Sequence, residues 1–216
     1  RDTDLKFDCT GVNYYDGQGF MVPKALGVAS AKDLDGATIC IQTGTTTELN
    51  LADYFRSNNI AYQPVPIQTN AEAQQQYLAG ACDVYTTDAS GLAATRATFE
   101  APADHVLLPE IISKEPLGPL VRHGDNEWGD IVMWTQNALI AAEEMGITST
   151  NIAELSAAPT NNPEINRILG TEGELGAMIG LSADWAKNAI AASGNYGEIF
   201  EKNIGENTPI GLARGL

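Results

Sequence analysis

The sequence predicts an α/β protein containing a doubly wound layer. Between residues 23 and 113, short β-branched or apolar runs alternate with helix-patterned stretches, the order that gives a parallel sheet covered by helices. The connections carry glycine and helix-capping residues, and beyond Asp125 the apolar period becomes that of helices and stays so.

In chain order, Ala37-Thr38-Ile39-Cys40-Ile41-Gln42-Thr43 is rich in β-branched residues and reads as a strand. Gly44 and three threonines then open a helix bearing Leu49, Leu51, Tyr54 and Phe55. A second strand near Ala61 to Ile67 leads to a helix whose start has Thr69 and Glu72 at capping-box spacing and whose end is Gly80. A third strand runs from Cys82 to Thr87; Asp88 and Ser90 then cap a helix reaching about Phe99, and Val106-Leu107-Leu108 supplies a fourth strand. The result is a βαβαβαβ layer. Gln18-Gly19-Phe20-Met21-Val22 leads into it and Leu117-Gly118-Pro119-Leu120-Val121-Arg122 leads out, as two strands of a hinge would. The expected division is one lobe at 1–22 and 120–216 and a second at 23–119. In the first lobe Trp128 to Glu144 is helical, with Ile131, Trp134, Ala138 and Ala141 on one face, and its spacing places Trp128 and Trp134 in the core. Shorter helices follow at Ile152 to Ala157, Glu164 to Leu169, Leu175 to Ile179, Asp184 to Ala192 and Glu198 to Asn203.

Composition excludes some partners. With 12 basic against 28 acidic residues the net charge is −16, and a nucleic-acid binder needs clustered Lys and Arg to neutralise phosphates. No run reaches the roughly 18 apolar residues of a membrane span; Ala138-Leu139-Ile140-Ala141-Ala142 is cut by Glu143 and Glu144, so no direct membrane insertion is expected. Arg1-Asp2-Thr3-Asp4 lacks the basic start and apolar stretch of a signal peptide, so an exported form would have had its signal removed. Cys9, Cys40 and Cys82 show no metal or redox spacing. Three buried thiols, or one bonded pair and one thiol, both fit. Cys40 and Cys82 fall on neighbouring strands with the same facing, but aligning the strand ends offsets them by about 6.6 Å, which only a register shift repairs.

Ligands of open α/β sheets bind beyond the strand carboxyl ends, where helix N-termini present free N–H groups. Two such ends stand out. Gln42-Thr43-Gly44-Thr45-Thr46-Thr47-Glu48 offers hydroxyl and backbone donors to an anion, the alternative being an ordinary Thr-capped helix. Thr86-Thr87-Asp88-Ala89-Ser90 ends an apolar strand on a carboxylate, the alternative being Asp88 capping its own helix. Donors at one end and an acceptor at the other suit a zwitterion better than a phosphate. No dinucleotide, Walker, nucleophile-elbow or zinc-protease motif is present. His105 and His123 read as strand-end residues rather than bases, and Tyr14, Tyr15 and Phe20 as core or hinge packing.

The segments Gly11-Val12-Asn13-Tyr14-Tyr15-Asp16-Gly17-Gln18-Gly19-Phe20, Gln42-Thr43-Gly44-Thr45-Thr46-Thr47-Glu48-Leu49-Asn50 and Cys82-Asp83-Val84-Tyr85-Thr86-Thr87-Asp88 closely resemble the general L-amino-acid-binding proteins of bacterial polar-amino-acid ABC importers, solute-binding family 3. Ile111-Ile112-Ser113-Lys114-Glu115-Pro116-Leu117-Gly118-Pro119 and Gly194-Asn195-Tyr196-Gly197-Glu198-Ile199-Phe200 extend the resemblance over essentially the whole chain. It implies a periplasmic-binding-protein type II fold: a doubly wound lobe inserted through a two-strand hinge into a second α/β lobe, with a cleft that closes on the ligand. It also implies a periplasmic location, an L-amino-acid ligand of broad side-chain type, delivery to the permease subunits of an ABC importer, no cofactor and no catalysis. The ligand set carried over is Arg1 for the α-carboxylate, Gln42, Thr45, Thr46 and Thr47 at the turn, and Asp88 for the α-ammonium. The threonines that precede the family's arginine are absent because the chain begins at Arg1, so the first lobe is expected to be incomplete, with apolar faces inviting a swapped or otherwise associated oligomer. A dehydratase-like enzyme on the same fold and a sensory ligand-binding domain are the competing readings.

Overall fold

The computed structural model describes residues 2–214. The chain divides into two compact units. Unit 1 takes the chain up to Tyr14, Leu117–Thr208 and the stretch from Ala213; unit 2 takes Tyr15–Pro116 and Pro209–Leu212.

Unit 2 is built on a five-stranded sheet of β3 (Gln18–Pro23), β4 (Thr38–Gln42), β5 (Gln63–Ile67), β6 (Val84–Asp88) and β7 (His105–Leu107), in the order β5-β4-β6-β3-β7. β4 is parallel to β5 and β6, as the alternating pattern predicts. The sheet is nonetheless mixed. The segment read as a lead-in, β3, lies antiparallel between β6 and β7, so residues 15–22 fall in unit 2 rather than in the other lobe. Its run from Gln18 to Val22 is buried on both faces, which marks a central strand rather than a connector. At its start a Cβ on Gly17 would collide with the Ser113 carbonyl, so only glycine permits that approach. β5 carries Pro64 and Pro66, residues without an N–H to donate, and lies at the sheet edge.

Strand alternation sorts the core. Phe20, Val22, Ile39, Ile41 and Val84 face helix α2 (Thr46–Ser57), which contributes Leu51 and Phe55. Met21, Cys40 and Tyr85 face the other side, with Tyr77 of α3 (Asn70–Leu78) and Leu92 of α4 (Ala89–Ala97). Each fully buried large apolar side chain contributes about 1.5–3 kcal/mol. Thr69 accepts from Glu72 N–H as expected, but the Glu72 carboxylate accepts from Gln68 N–H, one residue earlier than a closed capping box requires.

Cys40 and Cys82 are disulfide-bonded, with Cα atoms 5.6 Å apart. Cys40 stands opposite Tyr85 in the β4–β6 register, and Cys82 precedes β6 instead of lying in it. The chain before Val84 bends, so the offset calculated along an ideal strand does not apply. Asp83 secures this bend, accepting from the Thr38 N–H at 2.9 Å and the Thr38 hydroxyl at 2.6 Å. Of the two alternatives the sequence left, one bonded pair and one free thiol holds: Cys9 is exposed and unbonded.

In unit 1, β1 (Phe7–Cys9) pairs antiparallel with β9 (Leu120–Arg122). The long helix α5 (Asn126–Glu144) packs on α8 (Trp185–Ser193) and α9 (Tyr196–Asn203). Ala142, Ile147, Ile152, Leu169 and Ile190 form the core. Asn195 and Glu198 close a reciprocal capping box at the start of α9. The tryptophans of α5 are not core: Trp128 is 53% and Trp134 49% exposed, while Gln136, Ala138 and Ala142 take the buried face. Helical spacing identifies a stripe, but the neighbours decide which edge of the stripe is covered.

Alkylation of the unreduced protein is expected to modify one thiol, Cys9, and reduction is expected to lower the urea-unfolding free energy by up to about 4 kcal/mol for a closed loop of 42 residues. Two or three alkylated thiols before reduction would remove the bond.

Candidate functional site

The candidate site lies within unit 2. β4 crosses over to β5 on one side, and the chain returns to β6 on the other, so the sheet reverses its winding between β4 and β6. Ligands of α/β sheets bind at such a reversal, beyond the strand carboxyl ends. There β4 opens into α2 and β6 opens into α4.

Gly44, with φ of 71°, turns the chain from β4 into α2. Thr45 is the helix N-cap: its hydroxyl accepts from Glu48 N–H at 3.4 Å and donates to the Gln42 carbonyl at 2.7 Å. The Glu48 carboxylate accepts from Gly44 N–H at 2.8 Å. The capping alternative therefore holds for Thr45. Thr46 and Thr47 occupy the first helical positions, where geometry leaves their N–H groups without an intrahelical acceptor, at the positive end of the helix dipole. Gln42 does not join them. Alternation puts it on the Cys40 face, where its amide donates to the Gln68 carbonyl at 2.9 Å. Arg1 lies outside the described residues.

At the other end, Asp88 occupies the N-cap position of α4 but makes no side-chain cap hydrogen bond. Asp16, of the strand β2 (Tyr14–Asp16), takes that task. Its carboxylate accepts from Ser90 N–H at 3.3 Å and from the Ser90 hydroxyl, and also from Gly17 N–H at 2.8 Å. The helix is thus capped from a distant part of the chain, and Asp88 is left half-buried without that bond. Burial, then the negative charges of Asp16 and Glu115, push the Asp88 carboxyl above its ordinary range. A bound cation would reverse that shift.

The two ends are tied by a residue that sequence reasoning placed in a connector. Gln18 is opposite Asp88 in the β3–β6 register, and its Nε2 donates to the Thr47 carbonyl at 3.1 Å and to Thr86 Oγ1 at 3.0 Å. Gln18, Thr86 and Asp88 share one sheet face by alternation, the face covered by α2. Neither Gln18 nor Asp16 carries a local sequence signal, because both act across strands that pair only in three dimensions.

His105 is remote from this edge. It pairs with Pro23 at the far end of β3, five residues or roughly 17 Å from Gln18. Its Nδ1 is 2.8 Å from the Tyr77 hydroxyl, its ring lies edge-on to Phe99, and burial lowers its pKa. Phe20 is core, as expected, whereas Tyr15 is 75% exposed. No described helix is long and apolar enough to cross a membrane, and the described residues include no cluster suited to a metal ion.

No family model matches the chain. It is 68% identical over 216 residues to the glutamate/glutamine/aspartate/asparagine-binding protein BztA of Rhodobacter capsulatus, covering all of this chain and 64% of that protein. It is 58% identical over 218 residues to the general L-amino acid-binding periplasmic protein AapJ of Rhizobium johnstonii, covering 100% and 63%. The chain thus spans just under two thirds of the length of these relatives, all named as binding proteins rather than enzymes. A solved structure, an ABC transporter periplasmic binding protein from Brucella ovis with glutathione bound, matches with a TM-score of 0.92 at 53% identity, over 100% of this chain and 68% of that one. Similarity of that degree over two thirds of a solved relative shows that the chain belongs to the periplasmic binding proteins of ABC transporters and shares their type II α/β fold.

Proposed function

We propose that this chain is the ligand-binding part of a periplasmic protein that captures L-amino acids of broad side-chain type and passes them, unchanged, to the permease subunits of an ABC importer. The observation that carries the reading is the mixed-sign strand edge of unit 2. Donor groups at the start of α2 stand across from Asp88, a carboxylate without a cap bond whose pKa is raised by burial and by the neighbouring charges of Asp16 and Glu115. A free amino acid presents a carboxylate and an ammonium two bonds apart and needs that combination. The names of the relatives support the ligand class, and the glutathione in the Brucella ovis protein is consistent with a roomy site, since that peptide has a free α-amino acid end. In this reading Arg1 adds a guanidinium for the α-carboxylate, Thr46 and Thr47 supply N–H and hydroxyl donors, and Asp88 holds the α-ammonium. Gln42 is left in a supporting role at the turn.

Calorimetric titration with a panel of L-amino acids tests the reading, with saturable binding and recovery of unaltered ligand expected. Binding of none of them would overturn it. Asp88→Asn is expected to weaken binding about thirtyfold or more, the lower bound for removing one partner of a buried charge pair. Its effect on stability has the opposite sign to the loss of a helix cap. A carboxyl whose pKa is raised on folding opposes the folded state when ionised, so the asparagine protein should melt no lower, and at neutral pH slightly higher, than the parent. The same shift sets the pH dependence: amino-acid affinity should decline on acidification from a higher pH than an ordinary aspartate would give, and the asparagine variant should lack that step.

We further propose that the 216-residue chain self-associates. β1 and β9 form a sheet of two strands with both outer edges unpaired among the described residues, and Phe7, Leu120, Trp128 and Trp134 stay exposed on unit 1. Open strand edges beside apolar surface favour pairing with a second copy. Light scattering is expected to show a dimer or larger species, and a strict monomer at high concentration would refute this.

A further inference from the structure

We infer that Gln18 is a positioning residue of the unit 2 site: its amide sets the spacing between the first turn of α2 and the strand end that bears Asp88. This rests on the reading of that edge as an amino-acid site. Gln18 is 1% exposed. Its Nε2 bridges the Thr47 carbonyl and Thr86 Oγ1, and Thr86 in turn donates to the Gly19 carbonyl at 2.7 Å. Its backbone N–H donates to Ser113 Oγ at 3.0 Å, and that hydroxyl donates to Glu115 at 2.8 Å. A carbonyl only accepts, so the Thr47 bond settles which end of the amide faces α2. The other end, Oε1, is buried with no hydrogen-bond partner.

That orphan acceptor argues against a role in stability alone. Removing the amide would strand nothing: the Thr47 carbonyl still accepts from the next turn of α2, and Thr86 still donates to Gly19. An apolar side chain of similar size would also abolish the unpaired oxygen, whose burial costs stability. What methionine cannot do is join α2 to β6. Both groups that the ligand must reach hang from the elements that Gln18 connects, and Gln18 stands directly opposite Asp88. A ligand with carboxylate and ammonium at a fixed separation reads that spacing, so its loss appears in affinity, not in folding.

The test compares Gln18→Met and Gln18→Leu with the parent chain, by calorimetric titration with L-glutamate and L-glutamine, thermal melting and amide hydrogen exchange. The expected result is an affinity about tenfold lower or worse, with a melting temperature equal to or above the parent's and faster exchange at residues 49–51, the first amides of α2 with helical hydrogen bonds. Affinity within about twofold of the parent would overturn the inference, as would an affinity loss in both variants matched by a fall in melting temperature, which marks a plain structural role. Should the parent bind neither amino acid, the proposed ligand class falls, and exchange at residues 49–51 decides on Gln18 alone: faster exchange upholds its hold on the turn, and unchanged exchange refutes it.

Discussion

The placement of β3 controls the rest of unit 2. A strand buried on both faces must be bonded on both edges, and β3 meets that demand by lying antiparallel between β6 and β7. This completes the two apolar layers, with Phe20 and Val22 on one side and Met21 on the other. It also sets the chemistry. Because Gln18 pairs with Asp88, the residues just ahead of it arrive at the start of α4, where Asp16 reaches Ser90.

Asp88 owes its character to that arrangement. A carboxylate at a helix N-cap ordinarily accepts an N–H from its own helix and is stabilised by doing so. Here Asp16 makes the bond, and Asp88 faces two further carboxylates in a half-buried position that favours its neutral form. The fold thus holds Asp88 where burial and two acidic neighbours oppose its ionised form, the feature on which the proposed α-ammonium contact relies. The opposite edge is made in the ordinary way: a glycine turn, a threonine cap and a glutamate that folds back on the turn leave the next N–H groups without an intrahelical acceptor.

Unit 1 is held by different means. Its core is small and aliphatic, formed where α5, α8 and the short helices meet, and polar contacts supplement it. Arg214 pairs with Glu143 through both of its terminal nitrogens and lies 4.8 Å from the Tyr196 ring centroid. The Tyr196 hydroxyl, on the same helix, donates to the Asn13 carbonyl at 2.5 Å. These contacts fix α9 without covering the tryptophans of α5, so the unit combines a closed core with an open apolar surface.

By itself the sequence determined the local units of this protein. Alternating β-branched runs, the Gly44 turn, and the Thr45 and Thr69 caps specify strand–turn–helix pieces because each signal acts within a few residues, and they place β4 to β7 and the later helices close to where they stand. The family segments from Gly11 to Asp88 pointed further, to the class of protein. Tertiary structure decided everything that depends on a distant partner. Gln18-Gly19-Phe20-Met21-Val22 has no alternation to tell a central strand from a connector, and only the pairing with β6 and β7 makes it central. Asp88 resembles a cap in sequence, and Trp128 and Trp134 resemble core. Their true environments follow from Asp16, 72 positions earlier in the one case by register with β3, and from the helices packed on α5 in the other. Local propensity reaches along the chain for one turn or one strand, whereas burial and charge depend on neighbours that the sequence separates and folding brings together.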